Sequence, residues 1–122
     1  HIPLHATAAG KAILATMPRD RVEAIVDERG IEALTDRTIT DRDELFAELA
    51  TIEERGYAIN HGENTAGLYA VGVSVADRDG EVLGALSVSG PAERMTDDRR
   101  ERELPELMLG VANELELNIA YA

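Results

Sequence analysis

The chain has no cysteine and no tryptophan, one phenylalanine and three tyrosines. Without cysteine there is neither a disulfide framework nor a thiolate metal site, so a core alone must hold the fold. No apolar run approaches the roughly 18 residues that a membrane helix needs, and no signal-peptide pattern opens the sequence. The expectation is a soluble cytoplasmic domain. Lysine is almost absent: of twelve basic residues only Lys11 is a lysine, against twenty-four acidic ones, for a formal net charge of −12. That charge repels phosphate backbones, so the chain by itself is not expected to bind DNA or RNA. Scattered carboxylates with arginine in place of lysine suit high salt, where self-repulsion is screened and carboxylates keep the surface hydrated. An ordinary acidic protein from a GC-rich genome is the plainer alternative. The 122 residues are expected to form one domain that buries about two-thirds of its unfolded surface.

What is present is a clear change of period along the chain. Ala6 to Met17 reads as a helix stopped by Pro18, and Arg19 to Arg29 as a second, with Val22, Ile25 and Val26 on its apolar face and Gly30 at its end. Thr40-x-x-Asp43 is expected to cap a third helix, in which Leu45, Leu49 and Ile52 share a face and Gly56 ends the run. The period then falls to two. Tyr57 to Asn60 reads as a short strand, "HGEN" as a turn and Gly67 to Asp77 as a longer strand. Asp79-Gly80 marks a hairpin, with Glu81 to Ser89 as the return strand. Leu104, Met108, Val111 and Leu115 predict a C-terminal helix, which Pro105 either begins or kinks.

The two long strands have unlike faces. Tyr69, Val71, Val73 and Val75, with Leu86 and Val88, make a bulky face suited to packing on helices. Leu68, Ala70, Gly72 and Ser74, with Ala85, Ser87 and Ser89, make a small, partly hydroxylated one. This second face either lines a pocket or meets solvent.

The stretch "PLHATAAGKAILA" poses a similar choice. It is not a phosphate loop of the Walker type: His5 stands where the first glycine belongs, and Ala12 where the magnesium-binding hydroxyl belongs. A helix start flanked by Ala8 and Ala9 could still offer backbone N–H groups to a carboxylate; close packing capped by Thr7 or His5 explains it equally well. His5 and His61 are the only plausible general bases, and neither has a serine or carboxylate at recognisable catalytic spacing. The three histidines, at 1, 5 and 61, make no convincing metal set. No enzyme, metal site or cofactor is expected.

In order, "PLHATAAGKAILA", "TITDRDELFAELATIEERGYAI", "GLYAVGVSVADRDGEVLGALSVSGP" and "TDDR" resemble the C-terminal effector-binding domain of IclR-type transcriptional regulators, from about Pro3 to Leu117. The resemblance implies an α+β fold: a GAF-like or profilin-like antiparallel sheet flanked by helices, with residues 1–122 as part of an effector-binding domain. Members carry an N-terminal winged helix-turn-helix that binds operator DNA. Their effector domain binds a small metabolite, often a carboxylic or aromatic acid, and contributes to dimer and tetramer assembly.

Carried over by residue, the resemblance implies that the backbone N–H groups of Ala8 and Ala9 hold the ligand's acid group. It implies hydroxyl donors from Ser87 and Ser89, a site role for Asn60, and a floor of Leu68 and Ala70. Three positions depart from the family: Asn60 stands for an aspartate, Ala70 for a cysteine and Gly62 for an acidic residue. A linker helix and several strands normally precede the "PLH" block, so the chain is expected to be a fragment. It should then bear an exposed sheet edge and tend to self-associate. The implied partners are a small-molecule effector, further copies of the chain, and operator DNA only through a DNA-binding domain outside it.

Overall fold

A computed structural model describes residues 3–120; His1 lies outside them. The elements run α1 (Ala8–Leu14), α2 (Arg19–Arg29), α3 (Arg42–Arg55), β1 (Ala58–His61), β2 (Leu68–Ala76), β3 (Val82–Pro91) and α4 (Leu104–Ala120). The strands form an antiparallel meander in the order β1-β2-β3. This is the mixed α+β architecture expected.

Three local details differ from the sequence reading. Helix α1 is shorter than its apolar pattern, because Thr7 is its N-cap and Ala15 its C-cap. Pro18 serves as the N-cap of α2 rather than a mere stop. Asp41, not Thr40, caps α3: its carboxylate accepts the Glu44 N–H at 3.0 Å, a stronger cap than the hydroxyl one residue earlier. Gly56 closes α3 in the left-handed region, as its C-cap position demands.

The unlike strand faces decide the layering. Val71, Val73 and Val75 join Met95, Met108 and Ala112 in one buried cluster, which packs α4 on the bulky face. Ala12, Leu14, Val22, Leu45, Ile52 and Ala58 form the other cluster, in which α1, α2 and α3 meet the start of β1. On the small face Gly72 is the point of closest approach: a Cβ there would lie 2.7 Å from the Ala8 carbonyl carbon and oxygen and 2.9 Å from the Ala9 nitrogen. Only hydrogen lets β2 slide under the first turn of α1. The β2–β3 hairpin closes on Gly80 (φ +84°), with the Asp77 carboxylate accepting the Asp79 and Glu81 N–H groups at 2.9 Å each.

The buried stripe of α4 is Leu104, Met108 and Ala112, followed by Glu116, whose carboxylate accepts the Ala76 N–H at 2.8 Å. Val111 and Leu115, expected on that stripe, face outward with Leu107. Pro105 lies just after a π-helical turn over Arg99–Glu103. Having no N–H, it cannot serve the Glu101 carbonyl four residues back. The Tyr57 hydroxyl donates to that carbonyl instead, at 3.3 Å.

Gly72→Ala should therefore destabilise the fold by about 1–3 kcal/mol in urea unfolding, because the new methyl meets backbone on both sides. Gly84→Ala, where a Cβ meets nothing within 4 Å, should change stability by no more than about 0.5 kcal/mol.

Candidate functional site

The candidate site lies where the small sheet face meets the start of α1. The Thr7 hydroxyl oxygen accepts the Gly10 N–H at 3.0 Å. The N–H groups of Ala8 and Ala9, in the same first turn, have no carbonyl four residues back within the helix. The segment before α1 crosses close beneath it, since a Cβ on Gly10 would fall 2.5 Å from the Leu4 carbonyl oxygen. His5 fixes that segment by donating its Nε2–H to the Glu32 carbonyl at 2.8 Å.

Strand register then sets the opposing wall. Asn60, Ala70 and Ser89 are direct partners across the three strands, and Ala58, Gly72 and Ser87 form the next row. Directly paired residues share a face. Asn60, Ala70, Ser87 and Ser89 therefore lie on the face toward α1, with Ala8 and Ala9 over Gly72. Asn60 and Ala70 are buried, whereas Ser87 and Ser89 are exposed. Leu68 pairs with Pro91 at the end of the same face and is also exposed. The outer edge of β3 pairs with no strand among the described residues.

Asn60 has its amide committed inside the protein. Its Nδ2–H donates to the Ala6 carbonyl at 2.6 Å, and its Oδ1 accepts the Glu63 N–H at 2.7 Å. An aspartate would set an oxygen against the Ala6 carbonyl, so the amide fits here for a structural reason: it staples the segment before α1 to the end of β1. Gly62 is likewise structural, at φ +76°, with its carbonyl accepting the Thr35 hydroxyl at 2.6 Å.

Lys11 escaped the sequence reading. Its ammonium is fully buried at 0% exposure and donates to the Ile59 carbonyl at 2.7 Å, Glu63 at 2.9 Å and Glu48 at 3.3 Å. Glu63 is buried in turn and accepts the His61 N–H at 3.0 Å. The Thr38 hydroxyl donates to the Glu63 carbonyl at 2.5 Å. The signal that could have found Lys11 is its singularity: in a chain that otherwise uses arginine, the one lysine sits where three acceptors converge around a compact ammonium.

His61 lies on the opposite sheet face, edge-on to the Tyr69 ring with centroids 5.4 Å apart. Burial, reinforced by the charge of Arg100, holds its pKa below the usual histidine value. Its ring is turned away from the small face and from Ser87 and Ser89. No group of three histidine, cysteine, aspartate or glutamate residues among the described residues is placed to hold a metal ion.

Set beside known proteins, this arrangement has clear relatives. The family model described as "Bacterial transcriptional regulator IclR C-terminal" matches residues 1–116. The chain belongs to the IclR family. It is 35% identical over 119 residues to "Probable HTH-type transcriptional regulator ArcR" of Halobacterium salinarum, covering 98% of this chain and 45% of that protein. It is also 35% identical over 98 residues to the HTH-type transcriptional repressor AllR of Escherichia coli K12, covering 80% of this chain and 36% of the repressor. The chain thus spans less than half the length of these curated relatives.

Among solved structures it is similar to the C-terminal domain of the E. coli transcriptional regulator KdgR, with a TM-score of 0.89 and 34% identity over 98% of this chain and 72% of that one. It is equally similar to a double mutant of the inducer-binding domain of PobR from Acinetobacter in complex with 3-hydroxybenzoic acid: TM-score 0.89, 27% identity, 94% of this chain and 66% of that one. These IclR relatives are regulators of transcription rather than enzymes.

Lys11→Met should leave Glu63 buried without its counter-charge and cost about 3–5 kcal/mol. Lys11→Arg should also destabilise, because a planar fork cannot reproduce three converging donors on one nitrogen. The double variant Lys11→Met/Glu63→Gln should recover part of the loss, as read in a double-mutant cycle by urea unfolding.

Proposed function

We propose that the chain is the small-molecule sensing and assembly module of an IclR-type transcriptional regulator acting in the cytoplasm, with residues 1–122 forming part of one effector-binding domain. Its ligand is a small carboxylic or aromatic acid. Operator DNA is contacted through a DNA-binding domain outside this chain, in keeping with a net charge of −12 that repels phosphate.

The observation that carries the reading is the juxtaposition at α1. Two first-turn N–H groups, on Ala8 and Ala9, overlie a strand face that ends in two exposed hydroxyls, Ser87 and Ser89. Backbone N–H groups take one acid oxygen and the serines the other, while Ala70 and Leu68 meet the ligand's apolar part. Asn60 acts by holding the segment before α1 against β1. The 3-hydroxybenzoic acid bound to the double mutant of the PobR inducer-binding domain belongs to the same chemical class. Effector binding shifts the regulator between arrangements in proportion to its differential affinity for them.

A thermal-shift screen in molar KCl against 3-hydroxybenzoate and small keto acids tests the acid site. An acid at 100 times its dissociation constant should stabilise the chain by about 2.7 kcal/mol. The Ser87→Ala/Ser89→Ala variant should abolish that shift; a shift unchanged in the double variant would refute the assignment.

Assembly rests on a separate observation. Leu107 is 63% exposed and Val111 42%, one helical turn apart on the outer side of α4 and in line with exposed Leu115. A stripe of that kind on a soluble domain marks a contact surface. In light scattering the chain should run as a dimer or larger, and Leu107→Asp/Val111→Asp should lower its mass to that of a monomer. An unchanged mass would refute the role of α4.

A further inference from the structure

A pocket lies where α1, α2 and α3 come together beside the segment before α1. It measures about 250 Å³, with walls that include Leu4, Leu14, Ile25, Val26 and Leu45. None of these residues belongs to the sheet-face site. The hollow opens to solvent past exposed Arg29, Glu32, Leu34 and Asn64, while its floor is apolar, with Leu14 and Leu45 buried; concave apolar clefts with a few polar groups at the rim are the usual form of small-ligand sites. At about 250 Å³ the cleft has room for a six-membered ring with a few further atoms.

The rim is polar and comes from two segments. Arg29, the last residue of α2, borders the mouth and makes no ion pair among the described residues. His5 borders it with its Nε2–H already given to the Glu32 carbonyl. Glu32 and Asn64 complete the polar rim. A guanidinium beside an apolar hollow offers paired donors to a carboxylate whose hydrocarbon body is buried beneath it.

We propose that this cavity is a second small-acid site, one that takes a monocyclic acid with its ring among Leu14, Ile25, Val26 and Leu45 and its carboxylate on Arg29. The site sits where the segment before α1 is held. His5 anchors that segment at the cavity mouth, and Asn60 anchors it again at the Ala6 carbonyl beside the sheet-face site. Occupancy of the cavity therefore bears on the same piece of chain that shapes the first turn of α1.

Methyl NMR of the 122-residue chain, titrated with benzoate, benzylamine and benzyl alcohol, tests this. Benzoate should move the methyl signals of Ile25, Val26 and Leu45. It should do so equally in the Ser87→Ala/Ser89→Ala variant, which reads the sheet-face site alone. Arg29→Gln, an exposed change that leaves the core intact, should weaken benzoate about tenfold, and Ile25→Trp should fill the hollow and abolish the shifts. Silent cavity methyls, equal binding of the amine or alcohol, or undiminished benzoate binding in Arg29→Gln would each overturn the proposal. Loss of the shifts in the serine variant would overturn it too, while supporting the sheet-face site instead.

Discussion

The fold turns on one ammonium group. Lys11 is the fourth residue of a helix only seven residues long, too short to persist by its own hydrogen bonds. What keeps α1 in place is that its lysine reaches into the protein and meets β1 at the Ile59 carbonyl, the following turn at Glu63 and α3 at Glu48. Three separate parts of the chain are tied to one nitrogen. A buried charge is costly when any of its partners is lost, so the arrangement penalises every register but the native one. An arginine could supply the charge, but not three donors converging from a single atom.

That anchor explains why the small sheet face is where it is. With α1 fixed by Lys11 on one side, the close approach at Gly72 follows, and with it the position of Ala8 and Ala9 over β2. Glu63 then transmits the constraint: its carboxylate holds Lys11, its N–H binds Asn60, and Asn60 reaches back to Ala6 just before the helix. The loop closes on itself from Ala6 through Asn60 and Glu63 to Lys11. With the Ile59 carbonyl, Glu48 and the His61 N–H as further partners, the buried charges of this network are paired, which is the condition under which it rigidifies rather than weakens a core.

Strand faces and helix existence were legible from the sequence because they depend on local period. The alternation from Leu68 to Val75 separated the face that meets α4 from the face that meets α1, and the structure keeps that division. Positions set by distant partners were not legible. A family pattern offers Asn60 as a site residue; the internal hydrogen bonds at both ends of its amide, to Ala6 and Glu63, have no local signal. Leu104 and Met108 keep their expected places on the stripe of α4, but Val111 and Leu115 give way to Ala112 and Glu116, the last of which accepts the Ala76 N–H. The cap of α3 moved by one residue because aspartate is the stronger cap, accepting the Glu44 N–H in place of the threonine and the Asp43 N–H. The hollow between α1, α2 and α3 has no periodic signature at all, since its walls come from five stretches of chain.

The composition bears on how the proposed acid sites would work. With a net charge of −12, its long-range field repels carboxylates, and steering toward them is unfavourable. The likeness to ArcR of Halobacterium salinarum agrees with an acidic, arginine-for-lysine surface suited to concentrated salt, where screening shortens to roughly 3 Å at 1 M. Under those conditions the repulsive field is quenched, and so is the attraction of an exposed cation. Contacts that act at hydrogen-bond distance survive: N–H groups at a helix start, serine hydroxyls, and a guanidinium at the mouth of an apolar hollow. The same reasoning accounts for Lys11, the one charge on which the fold depends, being placed at 0% exposure, beyond the reach of screening ions.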